Sequence, residues 1–110
     1  MADIENVPVA EAIELAKGDS WLVDVREPDE WEAGHAEGAY SLPMSQLTER
    51  IGELPQDATL LVICHSGGRS ARVTEALAAQ GYNAINVLGG TQAWQSAGGV
   101  VVQDGPAPRP

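Results

Sequence analysis

Apolar residues along the chain gather in three short blocks. Trp21-Leu22-Val23-Asp24-Val25 and Thr59-Leu60-Leu61-Val62-Ile63-Cys64 are nearly continuous, and Ala84-Ile85-Asn86-Val87-Leu88 is the third. Runs without polar alternation suit strands covered on both faces, as in a parallel sheet. Residues 4–7 read as an edge strand, and residues 39–42 as a further short one stopped by Pro43. Between these blocks the spacing turns helical. Pro8 opens a helix with Ala12, Ile13 and Ala16 in register and Gly18 at its end, and Pro28 opens a short one through Trp31, ended by Gly34. Residues 45–54 place Leu47, Ile51 and Leu54 on one face before Pro55, and residues 69–80 align Val73, Ala76, Leu77 and Gln80 ahead of Gly81. A last helix is expected over residues 91–96, between two glycine pairs. Strands alternating with helices at such intervals predict an α/β fold of three layers, a mainly parallel sheet of about five strands with helices on both faces.

Length and composition fit a single domain: 110 residues, 44% hydrophobic and 20% charged. We expect it over residues 1–102, with residues 103–110, three of them proline, as a flexible tail. The net charge of −10 argues against nucleic acid or an anionic membrane as partner. Residues 1–9 include Asp3 and Glu5 and lack the basic start and apolar run of a signal peptide, so a cytoplasmic location is expected. The charge is unevenly spread: residues 1–57 hold fourteen acids and three bases, residues 58–110 two acids and three bases. One cysteine rules out an internal disulfide, a CxxC pair and a cysteine-built zinc site; no metal and no cofactor are expected.

That cysteine, Cys64, closes the most apolar block, and ligands of open α/β sheets bind beyond the carboxyl ends of the strands. His65, Ser66, Gly67, Gly68, Arg69 and Ser70 follow and lead into the longest helix. Two glycines let the backbone curl so that successive N–H groups face inward, and the helix N-terminus adds positive potential. A thiol in such a ring ionises more readily than a free one, so Cys64 is the candidate nucleophile and residues 65–70 the candidate anion-binding loop. Asp24 and Arg26, at the end of the neighbouring block, are expected near the same sheet edge as support, Asp24 anchoring backbone and Arg26 pairing Glu27 or Glu30. Arg72 either widens the positive mouth or pairs with Glu75 or Glu49. His35 fits a structural hydrogen bond, and Trp31 and Trp94 fit the core of a chain without phenylalanine.

Cys64-His65-Ser66-Gly67-Gly68-Arg69-Ser70 resembles the active-site loop of the single-domain rhodaneses, sulfurtransferases that carry sulfur as a cysteine persulfide. Asp24-Val25-Arg26-Glu27, Trp31 to Ala39, and Gly81-Tyr82 with Leu88-Gly89-Gly90-Thr91-Gln92-Ala93-Trp94 resemble three further motifs of that family, in the same order. The similarity covers roughly residues 3 to 98; Ala36-Glu37 stands where the family often has Ile-Pro. The resemblance implies that Cys64 takes sulfane sulfur from thiosulfate or a similar donor and passes it to cyanide or a thiol, with Arg69 helping to bind the donor's sulfonate and His65 touching the donor. It leaves open a persulfide relay with a protein acceptor, or a binding module. A phosphatase of related fold is disfavoured, because such enzymes have five residues between cysteine and arginine where this chain has four.

Overall fold

The computed structural model describes residues 4–103. The expected tail therefore lies outside the described residues except for Gln103, whose Nε2 donates to Ala33 O at 2.9 Å. Five strands form the main sheet: β1 (Glu5–Val7), β2 (Trp21–Asp24), β4 (Tyr40–Ser41), β5 (Thr59–Ile63) and β6 (Asn83–Val87). Their order is β1-β6-β5-β2-β4 and every pairing is parallel. The three apolar blocks are the three central strands, as burial on both faces requires. Side chains on β5 divide by alternation: Leu60, Val62 and Cys64 join a core with Val73 and Leu77, while Leu61 and Ile63 join one with Ala12, Trp31 and Trp94. The first core lies under α4 (Gly68–Ala79), and the second under α1 (Val9–Ala16), α2 (Pro28–Ala33) and α5 (Gly90–Ser96).

Two features differ from the sequence expectation. Residues 45–54 do not form one helix: a 3-10 turn at Met44–Gln46, an α-turn α3 (Leu47–Arg50) and a second 3-10 turn at Ile51–Glu53 follow one another. Met44 and Leu47, and then Ile51 and Leu54, are each three residues apart and all four pack on the first core. A 3-10 turn stacks residues three apart, so the contact with the sheet selects it. The second is a two-stranded antiparallel ribbon of β3 (His35–Ala36) and β7 (Val101–Val102), which carry no readable periodicity.

Candidate active site

The apolar β5 ends at Ile63, and the chain turns at once into the loop of residues 64–67 before α4 begins. Gly67 makes that turn with φ of +116°, a left-handed conformation that a side chain resists. The loop is held from behind by α5: the N–H groups of Thr91 and Gln92 donate to Cys64 O and His65 O at 2.7 and 3.2 Å. Gly90 permits this approach, since a Cβ there would stand 2.4 Å from both carbonyl oxygens.

Cys64 is 1% exposed, with its Sγ inside the loop. The Gly67 N–H donates to Sγ at 3.1 Å, and Ser70 Oγ lies 3.4 Å away. Burial pushes the thiol pKa up, but the Ser70 hydroxyl and the N–H groups of Ser70, Gly67 and Ser66 together outweigh it and hold the pKa below the ordinary thiol value. The loop residues therefore divide: Ser66, Gly67 and Ser70 turn donors on the sulfur, whereas His65 is exposed and lines an adjoining cavity of about 770 Å³ together with Arg26, Glu30, Gln92, Gln95 and Gln103.

Arg69 does not stand free at the mouth. Its Nη1 and Nη2 bond Glu30 Oε1 and Oε2 of α2 at 2.6 and 2.8 Å, a bidentate clasp across the loop. This hydrogen bonding holds the Glu30 carboxyl at about 2, against an ordinary 4.5. Glu30 also accepts from the Glu27 N–H at 3.1 Å in the capping box that starts α2.

Asp24 and Arg26 meet at the neighbouring strand end, but Arg26 pairs with neither Glu27 nor Glu30. Its Nη2 bonds Asp24 Oδ2 at 2.8 Å and Gly34 O at 2.7 Å, and the pair is almost wholly buried. Glu27 is drawn instead to Ser45, and Glu30 to Arg69, while two residues' separation lets Arg26 fold back on Asp24. Asp24 Oδ1 accepts from the Arg26 N–H at 2.9 Å, so it anchors backbone. Arg72 is exposed and forms no ion pair among the described residues, with Glu75 or with Glu49. His35 is buried, stacked on Trp31 at 3.6 Å between ring centroids, with Nδ1 at 2.9 Å from Trp31 O.

Two residues of this arrangement are not assigned to it by the sequence. Glu30 is one, since nothing local joins it to a loop 39 residues on. The other is Asn86, 3% exposed on β6, whose Oδ1 lies 2.6 Å from Ser70 Oγ. An amide inside the apolar block of residues 84–88 was the available signal.

No helix among the described residues is long and apolar enough to cross a membrane. The chain is 36% identical over 93 residues to the sulfurtransferase-named YtwF of Bacillus subtilis, covering 84% of this chain and 89% of that one. It is 40% identical over 74 residues to YqhL of the same organism, covering 66% of this chain but only 59% of YqhL's length. Among solved structures, a rhodanese-related protein of Thermoplasma volcanium superposes with a TM-score of 0.86 at 35% identity, covering 91% of this chain and 99% of that one. Residues 8–97 match the family described as the Rhodanese-like domain, and with the parallel sheet and the cysteine loop at its carboxyl edge, the chain belongs to that family.

Proposed function

We propose that this protein is a thiosulfate sulfurtransferase working through a Cys64 persulfide. The observation that carries the reading is one buried sulfur held in the loop, with the Gly67 N–H donating to it at 3.1 Å, Ser70 Oγ 3.4 Å away, and the neighbouring Ser66 and Ser70 N–H groups lowering its pKa. Such a setting favours an anion at Sγ, first the thiolate and then the persulfide's terminal sulfur. The thiolate attacks the outer sulfur of thiosulfate; a new S–S bond forms, the S–S bond of the donor breaks, and its electron pair leaves with sulfite. Cyanide or a thiolate then attacks the terminal sulfur, and the Cys64 thiolate is released. Glu30 opposite Arg69 makes the guanidinium a shared cation that an incoming sulfonate competes for, and Arg72 adds a second, exposed cation on α4. Asp24 and Arg26 support the edge without touching the sulfur, and His65 contacts the donor or acceptor from the side cavity.

Neutral groups surround a single sulfur, and the Arg69 guanidinium of the loop is already bonded to a carboxylate, so hydrolysis of aryl phosphates is not expected. A protein thiol as acceptor is compatible with the same chemistry, because a lone cysteine cannot resolve its own persulfide. The test is incubation with thiosulfate followed by intact mass. Wild type should gain one sulfur, and cyanide should remove it as thiocyanate; Cys64→Ser should do neither. No gain on the wild type, or turnover in the variant, would overturn the reading.

A further inference from the structure

The Ser70 hydroxyl has one proton and three groups competing for it. Asn86 Oδ1 lies at 2.6 Å, Gly67 O at 3.1 Å and Cys64 Sγ at 3.4 Å. With Asn86 Oδ1 facing it, the shortest contact takes the proton, and the Cys64 S–H donates into the Ser70 oxygen. That direction suits a neutral thiol. An anionic sulfur has no proton to give and needs the Ser70 hydroxyl turned toward it. Were only the hydroxyl to turn, two oxygen lone pairs would face each other at 2.6 Å between side chains 0% and 3% exposed, a costly buried contact.

We propose that Asn86 is a positioning residue for the nucleophile, its amide turning over as Cys64 passes between thiol and anion so that Ser70 donates to whichever partner needs the proton. A half-turn about χ2 exchanges Oδ1 for Nδ2, and the opposed lone pairs become an N–H···O bond. The inference rests on the reading of Cys64 as the nucleophile and adds a control on its ionisation. Strand register supplies the geometry. Asn86 lies opposite Val62 of β5 on one side and Asn6 of β1 on the other, and its Nδ2 donates to Asn6 Oδ1 at 2.9 Å. Asn6 is exposed on the edge strand, so its own amide can reverse in water when Asn86 does. The line Cys64, Ser70, Asn86, Asn6 therefore has two complete hydrogen-bond directions, one for each state of the sulfur.

The charged and titratable groups on the surrounding elements leave this line alone. Arg69 senses charge on Cys64 but is bonded to Glu30 of α2, and Asp24 and Arg26 at the end of β2 are bonded to each other. Arg72 on α4 and His65 in the loop are exposed, Tyr40 bonds Glu53, Tyr82 bonds Ile51 O, and α5 has no titratable side chain. Among the described residues, none of them hydrogen bonds Sγ or Ser70 Oγ.

The test is the rate of Cys64 alkylation by iodoacetamide against pH on the full chain, which needs no sulfur donor. Asn86→Asp offers Ser70 only an acceptor. It should move the profile to higher pH, slowing the reaction at neutral pH by at least about tenfold with the same high-pH plateau. Asn86→Val, which removes the competing acceptor, should move it less. In a Ser70→Ala background, Asn86→Asp should lose most of its effect. Should Asn86→Asp fail to fold, the wild type decides: the Asn86 side-chain amide resonances should titrate with Cys64, and remain flat in Cys64→Ser. A variant profile that overlays the wild type, an equal shift with and without Ser70, or wild-type amide resonances that do not move would overturn the proposal. Failure to take up sulfur would instead overturn the proposed function and leave these results in place.

Discussion

Replacing Glu30 by glutamine should make the protein a better thiosulfate binder. Both Arg69 terminal nitrogens are bonded to Glu30, so a sulfonate approaching the guanidinium must first loosen that clasp. The fall of the Glu30 pKa from 4.5 to about 2 corresponds to about 3 kcal/mol in all, with Arg69 the largest cause and the Glu27 N–H and Arg26 adding to it. Side-chain exposures of 34% for Arg69 and 31% for Glu30 bring water and salt into the pair, which reduces the figure to about 1 kcal/mol. One kcal/mol is about fivefold in a binding constant. Glutamine is the right probe because its oxygen can still accept from the Glu27 N–H, so the start of α2 is preserved. In the cyanide assay, Glu30→Gln should therefore lower the KM for thiosulfate by about three- to fivefold and leave the cyanide dependence unchanged. The sign for stability follows from the direction of the shift. A carboxyl depressed on folding stabilises above its unfolded pKa, so the wild type should lose this contribution as pH falls from about 4.5 through about 2, and Glu30→Gln should not. A KM that stays constant or rises would refute the idea that Glu30 competes with the donor for Arg69.

Two further substitutions probe the frame around the sulfur. Arg26→Met leaves the Asp24 carboxylate, 0% exposed, without its cation, and urea unfolding should show a loss of about 3–5 kcal/mol. Gly90→Ala places a methyl group 2.4 Å from Cys64 O and His65 O at φ of +62°, so the α5 contact must open. We expect a cost of about 1–3 kcal/mol by the same measurement, and sulfur uptake slowed more than global stability alone explains.

The central sheet was readable because its strands are buried on both faces, which leaves uninterrupted apolar runs. The β3–β7 ribbon was not, because two-residue strands have no period to detect. Residues 45–54 carried the right apolar face and the wrong helix, since spacings of three and four are shared by α and 3-10 turns until a sheet selects between them. In the site, Cys64 and its glycines were legible because a loop that curls around a sulfur needs those residue types in immediate succession. The partners of the two arginines were not. Glu27 and Glu30 are near Arg26 in sequence, yet Asp24 takes it, and Glu30 reaches across the sheet edge to Arg69. Asn86 was visible as a polar residue in an apolar strand, but only the register of β6 beneath the first turn of α4 gives it Ser70 as a neighbour.

The clasp also divides anion selectivity between two sets of groups. From the sequence, inward N–H groups and a helix N-terminus are expected around Cys64, with Arg69 at the donor. In the structure the groups beside Sγ are neutral: the Ser66, Gly67 and Ser70 N–H groups, and a Ser70 hydroxyl that serves the anionic state once it turns from Asn86. Dipoles in contact with a buried atom are hardly screened by salt, whereas a partly exposed arginine acting on a donor still in water is screened within about 8 Å at physiological ionic strength. Activation of the thiol and capture of the donor should therefore separate on a salt titration. Between about 10 mM and 1 M sodium chloride, where the screening length falls from about 30 to 3 Å, the pH profile of Cys64 alkylation should barely move while the KM for thiosulfate changes severalfold. Arg69→Gln should remove part of that salt dependence while shifting the alkylation profile far less than it changes KM. An alkylation profile that moves with salt as strongly as KM would give the role to the cations and refute the assignment to the loop amides.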